Sequence, residues 1–388
     1  MQYRKFGKLD WQPSALGFGA MRLPTLDAKD QINEPEAIRM LRFAIDHGVN
    51  YVDTAYPYHG GNSEIVVGKA LQDGYREKVK LATKLPIWAI ESADDFDRIL
   101  DEQRKKLSVD VIDFYLLHGL RKPRWATVKE LNLLERADRA LADGRIRHMG
   151  FSFHDTLDTF KEVIDSYDNW TFCQIQYNYM NEMYQAGTEG LEYAADKGLA
   201  VVVMEPLLGG KLVSTPDQVQ AQWDAAPVQR TAAEWALSWL WNKPQVSLVL
   251  SGMSTMWQVV ENVYYASQSS VGMLSETDLE IISRVRDTYD QICPVPCTGC
   301  QYCMPCPSGV NIPEVFAIFN RGVMYNSMDE SRSRYANMDA AERASACIQC
   351  RICEEKCPQD ILISQWMPLA HAVLGEGQAY DPALCPAI

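Results

Sequence analysis

Two cysteine runs carry the plainest chemistry in this sequence. The first reads Cys297-x-x-Cys300-x-x-Cys303-x-x-Cys306-Pro307, the second Cys347-x-x-Cys350-x-x-Cys353-x-x-x-Cys357-Pro358. A 4Fe–4S cubane needs four thiolates, and a close triplet lets one short loop present three of them to one face. The proline after the fourth cysteine turns the chain away and removes a backbone donor. The expectation is two 4Fe–4S clusters. Zinc is the rival, because paired Cys-x-x-Cys elements build four-cysteine sites, yet zinc gives no reason for triplets that end in Cys-Pro. Disulfides are disfavoured because nothing in the sequence points to secretion. Cys173 lies in an apolar run and reads as a buried bystander, while Cys293 and Cys385 flank the cysteine runs as candidate unliganded thiols.

In two-cluster ferredoxins the fourth cysteine of each run reaches over to the other cluster. By that logic Cys297, Cys300, Cys303 and Cys357 hold one cluster, and Cys347, Cys350, Cys353 and Cys306 the other. The first run departs from the pattern, with two residues rather than three before Cys306.

A second constellation lies earlier in the chain, where apolar segments finish in polar residues. One segment ends in Asp53-Thr54-Ala55-Tyr56-Pro57-Tyr58, the next at Lys84, the next at His118. A tyrosine of pKa about 10 donates its proton poorly at neutral pH until a nearby cation favours the phenolate. Lys84 is that candidate cation, Asp53 would keep it charged and aimed, and His118 would orient a carbonyl oxygen. Tyr58 could then protonate a developing alkoxide while a hydride arrives from a bound nicotinamide. Each residue alone has a structural explanation: a solvated lysine, a satisfied histidine, an aspartate capping a helix. Their shared position at the ends of three successive segments is what points to a site.

The elements that must position them alternate strictly. Candidate strands cover 15–23, 50–55, 79–85, 111–119, 146–154, 172–178, 199–206 and 246–253, separated by helical patterns such as EAIRMLRFAIDHG and DFDRILDEQRKKL. Eight strand–helix units predict a (β/α)₈ TIM barrel, whose functional residues sit at the C-terminal strand ends. A doubly wound sheet would need a phosphate fingerprint, but Gly17-x-Gly19 is followed by Arg22 where a third glycine belongs. We expect the barrel over residues 1–290, with a helix at 275–292 leading out of it, and a small helical ferredoxin-like domain over 291–388, with helices in IPEVFAIFNRG and MDAAERASA. The chain of 388 residues suits that division. Its net charge of −14 and pI near 5.0, with no basic block, argue against nucleic acid or anionic membranes as partners. No apolar signal core or bilayer-length run is present, so a cytoplasmic setting is expected.

The run DTAYPYHGGNSE, the lysine of LATKLP and the histidine of FYLLHG resemble the signatures of the aldo-keto reductase family, over roughly residues 1–290. The resemblance implies a general acid/base Tyr58, tuned by Asp53 and Lys84, with His118 orienting the carbonyl. It also implies an NADP or NAD cofactor. Ser152 and Gln174 correspond to residues that hold the nicotinamide carboxamide, although the asparagine usual after that serine is Phe153 here. Met204 stands where an aromatic residue usually stacks on the nicotinamide; its polarizable sulfur can cover a ring face. Gly19, Ala20, Met21, Asp53, Pro206, Leu207 and Gly209 complete the implied cofactor contacts near the ring, and Glu261 and Asn262 match residues at the adenine. The lysine and arginine that clamp a 2′-phosphate fall at Gly252 and Gln258, both uncharged; Ser254 or Thr255 at the following helix start could still bond a phosphate. Modest discrimination between NAD and NADP is therefore expected. The cysteine-bearing tail further resembles that of a subgroup with a ferredoxin-type domain.

The leading expectation is thus an NAD(P)-dependent oxidoreductase acting on a small-molecule carbonyl or alcohol, with Phe18, Met21, Tyr56, Trp88 and Phe153 lining an apolar cleft. The clusters would be structural, holding the C-terminal segment and shaping the pocket, because hydride transfer moves two electrons and no flavin motif offers to split them. The alternative is an electron-transfer protein whose clusters serve a redox partner and whose barrel binds a ligand or flavin. A binding protein that kept the site by descent is a third possibility.

Overall fold

The computed structural model describes residues 1–26, 31–297, 299–357 and 359–386; the motif proline Pro358 lies outside the described residues. Eight parallel strands close into a barrel in chain order. They are β1 (Leu16–Gly19), β2 (Tyr51–Asp53), β3 (Lys80–Leu85), β4 (Ile112–Leu120), β5 (Ile146–Phe153), β6 (Trp170–Gln176), β7 (Ala200–Met204) and β8 (Val246–Gly252). This is the (β/α)₈ architecture that the alternation of segments predicts. β1 is shorter than its apolar segment because Ala20–Arg22 winds into a 3₁₀ turn, and β6 begins at Trp170 rather than Phe172.

Successive side chains of a strand face opposite ways, so one parity of each strand lines the interior. Gly19 pairs with both Asp53 and Gly252, Lys84 with Leu116, Leu116 with Gly150, and Ser152 with Gln174. Following these pairs around the barrel puts Asp53, Lys84, His118, Ser152, Gln174, Met204 and Gly252 on the interior parity. Below them the interior is apolar: Tyr51, Ala82, Phe114, Leu116, Phe172, Val202, Leu248 and Leu250 pack around Phe6. Phe6 comes from an N-terminal hairpin in which it bridges to Leu9, and its ring lies 5.1 Å from Phe114 and 5.8 Å from Phe172. Such ring pairs add about 0.5–1.5 kcal/mol each beyond their buried area. Gly17 serves this packing, since a Cβ there would come within 2.8 Å of Leu250 and 2.9 Å of Leu248.

The opposite parity meets the helices. Phe151 and Phe153 pack tilted and edge-on against Phe160 of the helix Leu157–Asp165 at 5.8 and 5.0 Å, and Phe18 is fully buried on the same side of its strand. Phe18 and Phe153, expected at the cleft, therefore belong to the strand–helix layer. The strand period decides this, because each stands one residue away from an inward position.

The chain forms two compact units, Met1–Gly209 with Glu234–Ser275, and Gly210–Ala233 with Glu276–Ile388. The second contains the helices Asp217–Asp224, Glu276–Gln291, Ile312–Met324, Met328–Ala336 and Ile363–Leu374. Its core gathers Val315, Phe316, Phe319, Trp366, Met367 and Ala370. The segment MDAAERASA, expected to be helical, forms two 3₁₀ turns, Ala340–Glu342 and Ala344–Ala346, with Arg343 extended between them. Local side-chain bonds outcompete the helix there. Asp339 accepts from the Ala341 N–H at 3.2 Å, and the Arg343 guanidinium donates to the carbonyls of Ala336 (2.6 Å) and Met338 (2.9 Å). Among the described residues no helix is long and apolar enough to cross a membrane.

Candidate active site and thiol cavities

The four polar groups singled out above converge at the C-terminal end of the barrel. Asp53 is the last residue of β2, Lys84 sits near the end of β3, and His118 near the end of β4. Tyr58 opens the 3₁₀ turn Tyr58–Gly61, in which His59 and Gly60 take positive φ (52° and 62°) and lead the chain into the helix Ser63–Ala70. The Lys84 ammonium uses all three of its donors: Asp53 Oδ1 at 2.5 Å, the Thr54 carbonyl at 2.7 Å and Tyr58 Oη at 3.4 Å. The His118 ring stands edge-on to Tyr58 with centroids 6.0 Å apart, and Trp88 lies 5.0 Å from it on another side.

Burial dominates the electrostatics. It raises the Asp53 carboxyl, which Lys84 pulls back down, and it penalises the Lys84 charge, which Asp53 and Tyr58 more than restore. The ammonium thus stays charged above its usual range. The Tyr58 phenol is raised by burial, with Lys84 opposing. That refines the sequence expectation: the cation tempers the burial effect without overcoming it, so Tyr58 is held as the protonated acid. His118 is pushed well below its ordinary value by burial first and then by Lys84, His154 and Arg124, which leaves a neutral imidazole. Its Nδ1 is buried without a partner, as is Asp53 Oδ2.

A layer behind β3, not foreseen from sequence, braces this group. Glu64 is fully buried and accepts from Thr83 Oγ1 at 2.7 Å and from Gln103 Nε2 at 2.6 Å. Gln103 also donates to the Lys84 carbonyl at 3.0 Å and accepts from Tyr115 Oη at 2.7 Å. The acidic residue closing the run GGNSE was the available signal. Tyr56, expected at the cleft, points toward the helix Asp94–Leu107 instead, with Oη 3.3 Å from Glu102 and Lys106 4.2 Å over its ring. Met21 and Trp88 are exposed, at 53% and 48%.

The remaining nucleotide candidates fall into two groups. Gln174 is buried with Oε1 unpartnered, an acceptor that fits the N–H₂ of a carboxamide. Ser152 Oγ already accepts from the Gly119 N–H at 2.7 Å, which leaves its proton to donate to a carboxamide oxygen. Met204 ends β7 half-buried on the interior parity; Gly19, Ala20 and Pro206 are buried, Leu207 is half-buried, and Gly209 is exposed. Farther out, Asn262 is buried and donates to Ser251 Oγ at 3.0 Å, while Glu261 accepts from Tyr265 Oη at 3.4 Å. Gly252, Ser254 and Gln258 are exposed at the end of β8 and the start of the helix Met256–Gln268. Asn262 and Gln258 are thus committed to protein partners, whereas Gln174 presents a buried acceptor without one.

In the second unit the cysteines line two cavities. Cys297, Cys300, Cys303 and Cys357 line one, of about 20 Å³, and Cys306, Cys347, Cys350 and Cys353 line the other, of about 10 Å³. Each lining joins three cysteines of one run to the fourth of the other. Among the described residues no three His, Cys, Asp or Glu side chains converge tightly enough to hold one ion. Four thiols spread around a cavity suit a polynuclear cluster better than a zinc ion, whose sulfurs lie only about 2.3 Å from the metal. Cys173 is buried in the barrel, where burial drives its thiol far above the usual range. Cys293 and Cys385 lie outside both cavity linings; Cys385 Sγ is 3.4 Å from Tyr380 Oη.

Two family profiles match the chain. The profile of the Aldo/keto reductase family matches residues 15–285, and that of the 4Fe-4S dicluster domain matches residues 296–362. The NADH-specific methylglyoxal reductase of Escherichia coli is 28% identical over 264 residues, which are 56% of this chain and 78% of that protein. A probable aldo-keto reductase 1 of Glycine max is 33% identical over 158 residues, 38% of this chain and 44% of its own length. Among solved structures, an aldo/keto reductase of Klebsiella pneumoniae in complex with NADP and acetate is 26% identical. It superposes with a TM-score of 0.58 over 73% of this chain and 95% of its own.

Proposed function

The chain belongs to the aldo/keto reductase family, and on that premise we propose that it interconverts a carbonyl compound and its alcohol using NAD or NADP. The observation that carries this reading is the Lys84 ammonium in contact with both the Asp53 carboxylate and the Tyr58 phenol, beside a neutral imidazole. A bound nicotinamide would supply or take up the hydride. In the reductive direction Tyr58 Oη holds the proton and passes it to the developing alkoxide, and Lys84 stabilises the phenolate left behind. His118 orients the carbonyl oxygen. Gln174 Oε1 and Ser152 Oγ engage the carboxamide, and Met204 covers the ring face. Relatives named for NADH and bound to NADP are both found among similar proteins, which accords with modest nucleotide discrimination here.

The eight cysteines in crossed sets would hold two 4Fe–4S clusters. Clusters of this type either brace a fold or pass single electrons. The bracing role suits a two-electron hydride reaction in a chain without a flavin motif. Thiolate-held clusters also suit a reducing, cytoplasmic compartment. Electron exchange with a redox partner is favoured by one observation: Cys300 and Cys350, one from each set, are exposed, with Tyr302 at 66% and Ile348 at 70% exposure beside them. Anaerobic titration with NADH and NADPH separates the roles. Clusters that stay oxidised while carbonyl reduction runs at full rate support bracing, and clusters reduced within a turnover support electron exchange.

The activity itself is tested by screening aldehydes and ketones with anaerobically prepared protein and both nucleotides. Tyr58→Phe is expected to lower kcat by about 10²- to 10⁴-fold on any substrate found. A variant that reduces the same carbonyl at near wild-type rate would overturn the assignment.

A further inference from the structure

Trp88 joins two polar groups at the mouth of the site. It belongs to the 3₁₀ turn Ile87–Ala89 that follows β3. The His118 imidazole lies 5.0 Å from its ring, and the Arg124 guanidinium carbon lies 4.7 Å over the same ring. A guanidinium over an indole face is held there by the ring quadrupole. Arg124 is half-buried in the first turn of the helix Lys122–Glu130, which follows β4. Its Nη1 donates to the carbonyl of Gly119, the residue after His118, at 2.7 Å. Gly119 takes φ of +62°, and a Cβ there would stand 2.6 Å from that nitrogen, so a side chain at 119 would displace the guanidinium.

Among the described residues nothing acidic answers this cation: Arg124 has no ion-pair partner, and one of a guanidinium's five N–H donors is used. Burial lowers it below its ordinary value, and the charge that adds to this is Arg121, a second cation. Lys122 lies between the two in sequence. Asp155, the acid that reaches this segment, is spent on backbone, accepting from the N–H groups of Lys122 at 2.6 Å and Thr156 at 2.8 Å. The chain as a whole repels anions, with a net charge of −14. At this loop the sign reverses, beside the imidazole that orients the carbonyl.

We propose that Arg124 binds a carboxylate on the substrate, so that the carbonyl compounds this site takes are oxo acids. This rests on the carbonyl–alcohol reaction proposed above and names its substrate class. A guanidinium offers a carboxylate two parallel N–H donors, a geometry that an ammonium does not reproduce. Trp88, beside both Arg124 and His118, is the apolar wall for the carbon skeleton between the two polar groups. The carboxylate is unchanged in the reaction. The carbonyl carbon gains the hydride of the reduced nucleotide, the oxygen gains the Tyr58 proton, and the products are a hydroxy acid and the oxidised nucleotide.

The test compares two pairs of aldehydes, 4-carboxybenzaldehyde with its methyl ester and 4-oxobutanoate with butanal, on the full chain prepared anaerobically with NADH and NADPH. The readout is the ratio of kcat/KM, acid over neutral compound, which a general loss of activity leaves unmoved. Wild-type protein is expected to favour the acid by about 10- to 100-fold in at least one pair, the worth of a charge-assisted bond. Arg124→Gln should abolish that preference, mainly through the KM of the acid, and Arg124→Lys should keep part of it. Three results overturn the assignment while leaving the carbonyl reaction standing: no preference for the acid in either pair, reduction of other carbonyls but of neither acid, or a preference that survives Arg124→Gln. Should Arg124→Gln fail to fold, as circular dichroism would report, an undiminished preference in Arg124→Lys overturns it equally. Wild-type protein that reduces no carbonyl compound with either nucleotide overturns the reaction itself and this inference with it.

Discussion

The barrel and the cysteine unit organise reactive groups in opposite ways. In the barrel, protein groups already satisfy one another: the Lys84 ammonium has three acceptors within reach, and a buried layer of Glu64, Thr83 and Gln103 fixes the strand beneath it. In the cysteine unit the reactive side chains face cavities rather than each other, and thiols from both runs pack against the same small core. The first arrangement stands on packing and ion pairing alone. The second has thiols of both runs lining two small cavities. One unit has its polar groups satisfied by its own polypeptide, and the other has a small apolar core beside thiols that line cavities.

The strongest way to break this contrast is to remove the metal. Anaerobic chelation is expected to unfold the cysteine unit and leave the barrel intact, because ligand binding and folding are one equilibrium in small thiolate domains. Limited proteolysis would then cut beyond residue 291 while a barrel-sized fragment persists. Equal resistance with and without iron would show that the helical core suffices. The crossed grouping sharpens the same point: Cys306→Ala should abolish the spectroscopic signal of the same cluster as Cys350→Ala, and not that of Cys300→Ala.

Next in size is Lys84→Met. Removing one partner of a buried ion pair leaves Asp53 uncompensated at a cost of about 3–5 kcal/mol, measurable by urea unfolding. On the substrate tested, kcat should fall by about 10²- to 10⁴-fold through loss of Tyr58 support. A stability change without a rate change would make Lys84 structural only.

The pH profile follows from the same burial. His118 is held below its ordinary value and is neutral on both sides of pH 6.5, so carbonyl reduction should show no limb there. Tyr58 is raised, so its acid form persists beyond the usual phenol value near 10, and activity should decline only as pH rises through that higher value. An acid limb near pH 6.5 assigned to His118 by its disappearance in His118→Ala would contradict this electrostatic account.

The smallest effects compare packing in the two units. At Gly150 a Cβ would meet the Phe172 ring at 2.4–2.7 Å, so Gly150→Ala should destabilise the barrel by about 1–3 kcal/mol. Ile348→Ser, at an exposed position of the cysteine unit, should change stability by less than about 0.5 kcal/mol. Both are read from denaturant midpoints.

The legible parts of this molecule were those written as patterns. Eight apolar segments with polar ends predict the barrel, and the period of two assigns Asp53, Lys84, His118, Ser152 and Gln174 to one face once the register is known. The cysteine spacing predicts the crossed sets that line the cavities. Parity was not legible without register, and for that reason Phe18 and Phe153 read as cleft residues although they face the helices. Glu64 and Gln103 lie far apart in sequence and meet only behind β3. The helix expected at 338–346 gave way to local bonds from Asp339 and Arg343 to the neighbouring backbone, which compete with a helix without changing its apolar pattern.

The most direct measurement is the fate of deuterium from a nicotinamide nucleotide labelled at its reactive carbon, during reduction of a carbonyl compound by wild-type and Tyr58→Phe protein. The account predicts that the label moves to the carbinol carbon in the wild type and that the transfer is lost in the variant. An alcohol without label whichever face of that carbon carries the deuterium, or transfer undiminished in Tyr58→Phe, would contradict it.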